Sequence, residues 1–196
     1  MPWPVSIGDS EDHVRSDRLR AMVVSAVMAA LALTLPIVFH AVGLGSKFLP
    51  MLLPLLLNGF LVPWPWAVLV GAAVPWISAL TTGMPPLYPP VAMVMSCEGA
   101  ILAGVAAVTY RATRPRLWPA LLLAIVADRG ASFGLTWWLA ARLELPPAWA
   151  SLATFAQSLP GVALQLAVVP VVVRRLQKRQ GLLFRDAAPH EAAPLQ

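Results

Sequence analysis

Long apolar runs recur along this chain, and they restrict what it can fold into more than any single motif does. A bilayer core of about 30 Å is crossed by roughly 17–25 apolar residues in a helix. Six segments follow that pattern, at residues 19–38, 48–62, 64–80, 91–110, 117–139 and 150–173. Composition agrees, since 59% of the 196 residues are hydrophobic and only 12% are charged. Soluble domains carry about twice that share of charge. The expected architecture is an all-α integral membrane protein with six transmembrane helices. Residues 1–18 are expected to form a polar tail, 19–175 the membrane domain and 176–196 a second, disordered tail. Nothing in the sequence marks a second domain.

The net charge of +5 acquires meaning from its placement. Arg15, Arg18 and Arg20 precede the first apolar run, Arg111, Arg114 and Arg116 separate the fourth from the fifth, and Arg174, Arg175, Lys178, Arg179 and Arg185 follow the last. With six spans these three places share one side, and the positive-inside rule makes that side the cytoplasm, together with both termini. Only Lys47 and Arg142 remain outside, with Arg129 inside a span. This is a topology pattern and not a nucleic-acid surface. Trp118 and Trp149 at span ends, and Trp64 and Trp66 at a turn, suit the headgroup layer. The N-terminus reads poorly as a cleaved signal peptide, because its basic stretch is long and no clear A-x-A site follows.

The inventory of reactive residues is thin. One cysteine, Cys97, excludes an internal disulfide and is expected to be a small buried hydrophobe. Of the three histidines, only His40 lies near the membrane. No metal site and no cofactor are expected.

Ionisable groups inside a span are costly, so each is a functional candidate. Glu98 falls in the fourth span, and Asp128 and Arg129 in the fifth. At 1.5 Å of rise per residue, Glu98 lies roughly 10 Å below the outer surface, Arg129 and Asn58 about 15 Å and Gln157 about 10 Å. His40 and Lys47 lie in or beside the first outer loop. Polar groups thus gather in the outer half, as in a pocket open to the outside. The same residues also admit a structural reading. Glu98 and Arg129 can pair with each other, Asp128 can compete for the arginine, and Asn58, Gln157 and Gln165 can bond between helices. Neighbouring helical residues point about 100° apart, so Asp128 and Arg129 are expected to face different ways.

Two further features concern backbone and packing. Twenty prolines, among them Pro50, Pro54, Pro75, Pro160 and Pro170 inside spans, free carbonyls that must find other donors in lipid. In the first span, Ser25/Ala29 and Ala26/Ala30/Thr34 form two rows of small residues four apart, which permit close approach by another helix.

Several stretches, in order, resemble the substrate-binding S component of energy-coupling factor (ECF) vitamin transporters. FLPMLLPLLLNGF at residues 48–60 is similar to the family's FLPMHIPVLLAGF-like segment, and PWISALTTGMPP at 75–86 to its span ending in TGMPP. Residues 95–104 around Glu98 look like a Met-x-x-Glu segment, and 158–173 like a closing PG-x-x-x-Q-x-x-x-x-P helix. VADRGASFG around Arg129 is similar to the Gly-Arg fifth helix, with Asp128 in place of the expected glycine. Leu52 also departs from the pattern, replacing a histidine common after FLPM.

The resemblance implies six helices in the bacterial plasma membrane and an outward-facing pocket for a vitamin-like substrate. It implies docking through Ala26 and Ala30, which match an AxxxA motif, onto a transmembrane coupling subunit driven by two ATPases. The chain carries no G-x-x-x-x-G-K-[ST] of its own, so it is not expected to be an enzyme. Glu98 and Arg129 are the leading substrate ligands, with His40, Lys47, Asn58 and Gln157 behind them. Thr82, Gly83, Met84, Pro85 and Pro86 are expected to form a lid. An acidic substrate would favour Arg129 and an amine Glu98, a choice the residues leave open. The competing readings are a scaffolding subunit of an envelope-assembly complex and, least favoured, an intramembrane enzyme, for which Ser158 lacks an activating base.

Overall fold

The computed structural model describes residues 7–41, 43, 50–88, 90–113, 116–144, 156 and 158–186. Six helices follow one another: α1 (Ile7–Ala41), α2 (Leu52–Leu61), α3 (Trp64–Thr82), α4 (Val91–Ala112), α5 (Leu117–Arg142) and α6 (Leu159–Asp186). No strand occurs among the described residues. Five helices are long and apolar enough to cross a membrane. Their exposed large side chains include Val23, Leu31, Leu69, Leu80, Leu122 and Val126, an apolar exterior suited to lipid.

Local chemistry sets the boundaries. Pro63 and Pro65 open α3, where a missing N–H costs nothing, and Gly83 closes it at φ 73° with its N–H on the Ala79 carbonyl, 3.0 Å away. A left-handed residue at a helix end is the place for glycine.

The second span differs from expectation. It is a ten-residue helix, about 15 Å long and half a bilayer core. Eight of its residues are buried, so it is a short central plug walled in by its neighbours, where irregular flanking backbone is tolerated. Both outer helices outrun their expected limits. α1 already begins at Ile7 and α6 continues to Asp186, so residues 7–18 and 176–186 are helical where polar tails were expected.

The core centres on α2 and α4. Leu52, Leu55 and Leu56 are fully buried together with Leu102, Ala106, Leu121 and Val169. In α4, 56% of the membrane-spanning stretch is buried, against 11% in α1, which makes α4 the hub and α1 a peripheral wall. Glycines let the hub approach its neighbours closely. A Cβ on Gly71 would stand 2.3 Å from the Gly99 carbonyl oxygen, and one on Gly59 2.5 Å from that of Ala103. Pro75 lies four residues after Gly71 and cannot donate to its carbonyl, and that oxygen is turned toward Gly99, 2.5 Å from where its Cβ would be. The next carbonyl, of Ala72, accepts the Ser96 hydroxyl at 2.6 Å. The α3–α4 crossing therefore packs the carbonyl freed by the proline against a neighbouring helix and bonds the carbonyl beside it to Ser96.

Candidate functional site

Two helices and the residue that precedes α6 bring polar side chains together in the interior. Glu98 of α4 is buried and accepts a hydrogen bond from the Ser132 hydroxyl of α5. Arg129, one turn before Ser132, donates through Nε and Nη2 to Asp128 Oδ2 at 2.9 and 2.6 Å. Its Nη1 donates to Ser158 Oγ, just before α6, at 3.3 Å. Glu98 Oε2 stands 4.0 Å from Arg129 Nη2, an ion pair beyond hydrogen-bond length. Asp128 is 1% exposed, and its second oxygen, Oδ1, has no partner among the described residues.

This arrangement revises one expectation directly. The 100° between Asp128 and Arg129 does not separate them, because the long arginine stem folds back onto its neighbour. Asp128, and not Glu98, is the closer partner. Ser132 and Ser158 complete the cluster and carry no sequence signal beyond position. Ser132 is three residues after Arg129, hence on its face.

The other candidates scatter. Asn58 is fully buried and accepts a hydrogen bond from Ser25 Oγ at 3.4 Å, while its amide nitrogen has no partner among the described residues. Gln165 is also buried with an unpartnered amide nitrogen. Lys47 and Gln157 lie outside the described residues. Cys97 is exposed on α4, contrary to the buried role expected of it, because its helix turns Ser96 and Glu98 inward on either side.

His40 and the TGMPP loop meet at a different place. A cavity of about 480 Å³ opens between the end of α1, the start of α2, the end of α3 and the start of α4. Apolar side chains dominate it, including Met51, Met84, Met95 and Ile37, with His40, Ser78 and Thr82 as its polar members. His40 Nδ1 lies 2.8 Å from the Pro36 carbonyl. The loop is fastened down: Ser78 Oγ donates to the Met84 carbonyl at 2.6 Å and the Ala92 N–H to that of Pro86 at 3.2 Å. The Met84–Pro85 peptide is cis. None of the Glu98–Arg129 cluster lines this cavity.

The two small-residue rows of α1 face opposite ways. Ser25 is buried against Asn58 and Ala29 packs on the core, whereas Ala26 and Ala30 are exposed. An open face on α1 therefore includes Ala26 and Ala30 and excludes Ser25.

Apolar helices with a lipid-suited exterior, wrapped around buried carboxylates and a guanidinium, define an integral membrane protein with a polar interior. Residues 20–173 match the family model described as "ECF transporter, substrate-specific component". The chain belongs to that family. No curated protein and no solved structure matches it.

Proposed function

We propose that this chain captures a vitamin or related small micronutrient outside a bacterial cell and delivers it inward, together with a transmembrane coupling subunit and two ATPases. The observation that carries this reading is the buried cluster of Glu98, Asp128, Arg129, Ser132 and Ser158, which gathers charge from two helices, with Ser158 just before α6 as a further polar partner. Intramembrane charges that face the interior of a bundle mark substrate paths. The basic residues near the start of α1, between α4 and α5 and on α6 support a cytoplasmic placement for that end. His40 and the TGMPP loop then face outward, with the loop as a cover over the approach and Lys47 and Gln157 as further ligands.

Docking on the coupling subunit falls to the exposed Ala26–Ala30 face of α1, whose small side chains admit a second backbone. Ala26→Leu with Ala30→Leu is expected to abolish co-purification of the coupling and ATPase subunits while the melting temperature of the isolated protein stays within about 2 °C of the parent, as for other exposed substitutions. Pull-down of the tagged chain from its native membrane tests this. Undiminished co-purification would remove that face from the interface.

A further inference from the structure

The charge balance of the buried cluster selects among substrates, and this step rests on the binding role proposed above. Two carboxylates, Glu98 and Asp128, surround one guanidinium. Arg129 already commits Nε and Nη2 to Asp128 and Nη1 to Ser158. An incoming carboxylate would find only the second N–H of Nη1 and of Nη2 uncommitted and would approach two carboxyl groups in a poorly screened interior, where repulsion between like charges is strong. The open capacity is of the opposite kind. Among the described residues, Asp128 Oδ1 is a buried acceptor with no donor, and Glu98 Oε2 has the arginine at 4.0 Å as its ion-pair contact. Among the described residues, Arg129 is the one cation paired with either carboxylate, and segment 145–157, which leads into Ser158, contains no ionisable side chain.

We infer that the site takes a substrate bearing a protonated nitrogen, an amine or amidine, whose N–H groups bond Asp128 Oδ1 and Glu98 Oε2. Such a ligand supplies donors to two carboxyl oxygens that Arg129 leaves without a close one. A buried acceptor without a partner is costly, so occupancy by a donor is favoured over an empty site. Arg129 then acts as the group that holds Asp128 in place.

The test uses the purified chain and two matched probe triplets at equal millimolar concentration. Tryptamine, tryptophol and indole-3-acetate share one ring system and differ in charge, as do benzamidine, benzyl alcohol and benzoate. The fraction of protein that stays monodisperse after heating, separated from free probe by size-exclusion chromatography, follows thermal unfolding. The amine and the amidine are expected to raise the melting temperature by about 2–4 °C, and the alcohols, which report detergent partitioning alone, are expected to leave it unchanged. The shift is expected to vanish in Glu98→Gln and in Asp128→Asn, either of which suffices if the other does not fold. Stabilisation by the carboxylates would overturn the charge assignment, moving recognition to Arg129 or Lys47, while leaving the transport reading intact. An amine shift unchanged in both variants would also overturn it. No shift with any charge class would count against the binding role itself.

Discussion

Arg129→Gln is expected to destabilise the protein by roughly 3 kcal/mol or more, the cost of leaving buried carboxylates without their cation. Asp128 is 1% exposed and bonded twice by this guanidinium, and Glu98 has it as a 4.0 Å counter-charge. Thermal unfolding of the purified variant measures the loss. Adding Asp128→Asn to the same chain is expected to recover part of it, because one of the two stranded charges is then gone. Contacting residues couple in this way, and a double-mutant cycle isolates the term. Simple additivity of the two substitutions would mean that the 2.6 Å contact carries little energy.

The second large effect is expected at the α3–α4 crossing. Gly71→Ala places a Cβ 2.3 Å from the Gly99 carbonyl oxygen, and Gly99→Ala places one 2.5 Å from that of Gly71 and 2.9 Å from a Leu55 methyl. Backbone cannot yield as a flexible side chain does, so each substitution is expected to cost about 1–3 kcal/mol. Gly130→Ala is the control. It lies inside α5 with nothing within 4 Å of an added Cβ, and alanine there is expected to stabilise by about 0.5–1 kcal/mol through helix propensity. Chemical denaturation in mild detergent orders the three. Equal stability of Gly71→Ala and the parent would refute the close crossing. Because Gly99 adjoins Glu98, widening this contact is also expected to displace the carboxylate and weaken ligand binding.

The long helices were legible because a bilayer demands continuous apolar length, and that demand is written residue by residue. The short α2 was harder to read. Its leucines satisfy a hydropathy pattern whether they face lipid or protein, and only packing shows that Leu52, Leu55 and Leu56 lie in the centre of the bundle. Helical ends also ran past expectation, since Ile7–Arg18 and the residues after Leu176 are polar enough to resemble tails yet continue an existing helix. In the site, charge within a span pointed to Glu98, Asp128 and Arg129. Their pairing was not legible, because helical angle describes where a Cα–Cβ bond points and says little about a flexible arginine. Ser132 and Ser158 were hidden for a simpler reason, as serines are ordinary residues in membrane helices. The separation of His40 and the TGMPP loop from the charged cluster is likewise tertiary. Span depth places them all toward one end, and depth alone does not say which of them line one cavity.

The central claim is that the buried cluster holds a small-molecule substrate. The protein, purified in detergent without added ligand, is denatured, and the released compounds are identified by mass spectrometry alongside those from Glu98→Gln and Arg129→Lys. The expected result is one compound with a basic nitrogen, near stoichiometric in the parent and lost from both variants. Equal amounts of every released compound in all three preparations would contradict it.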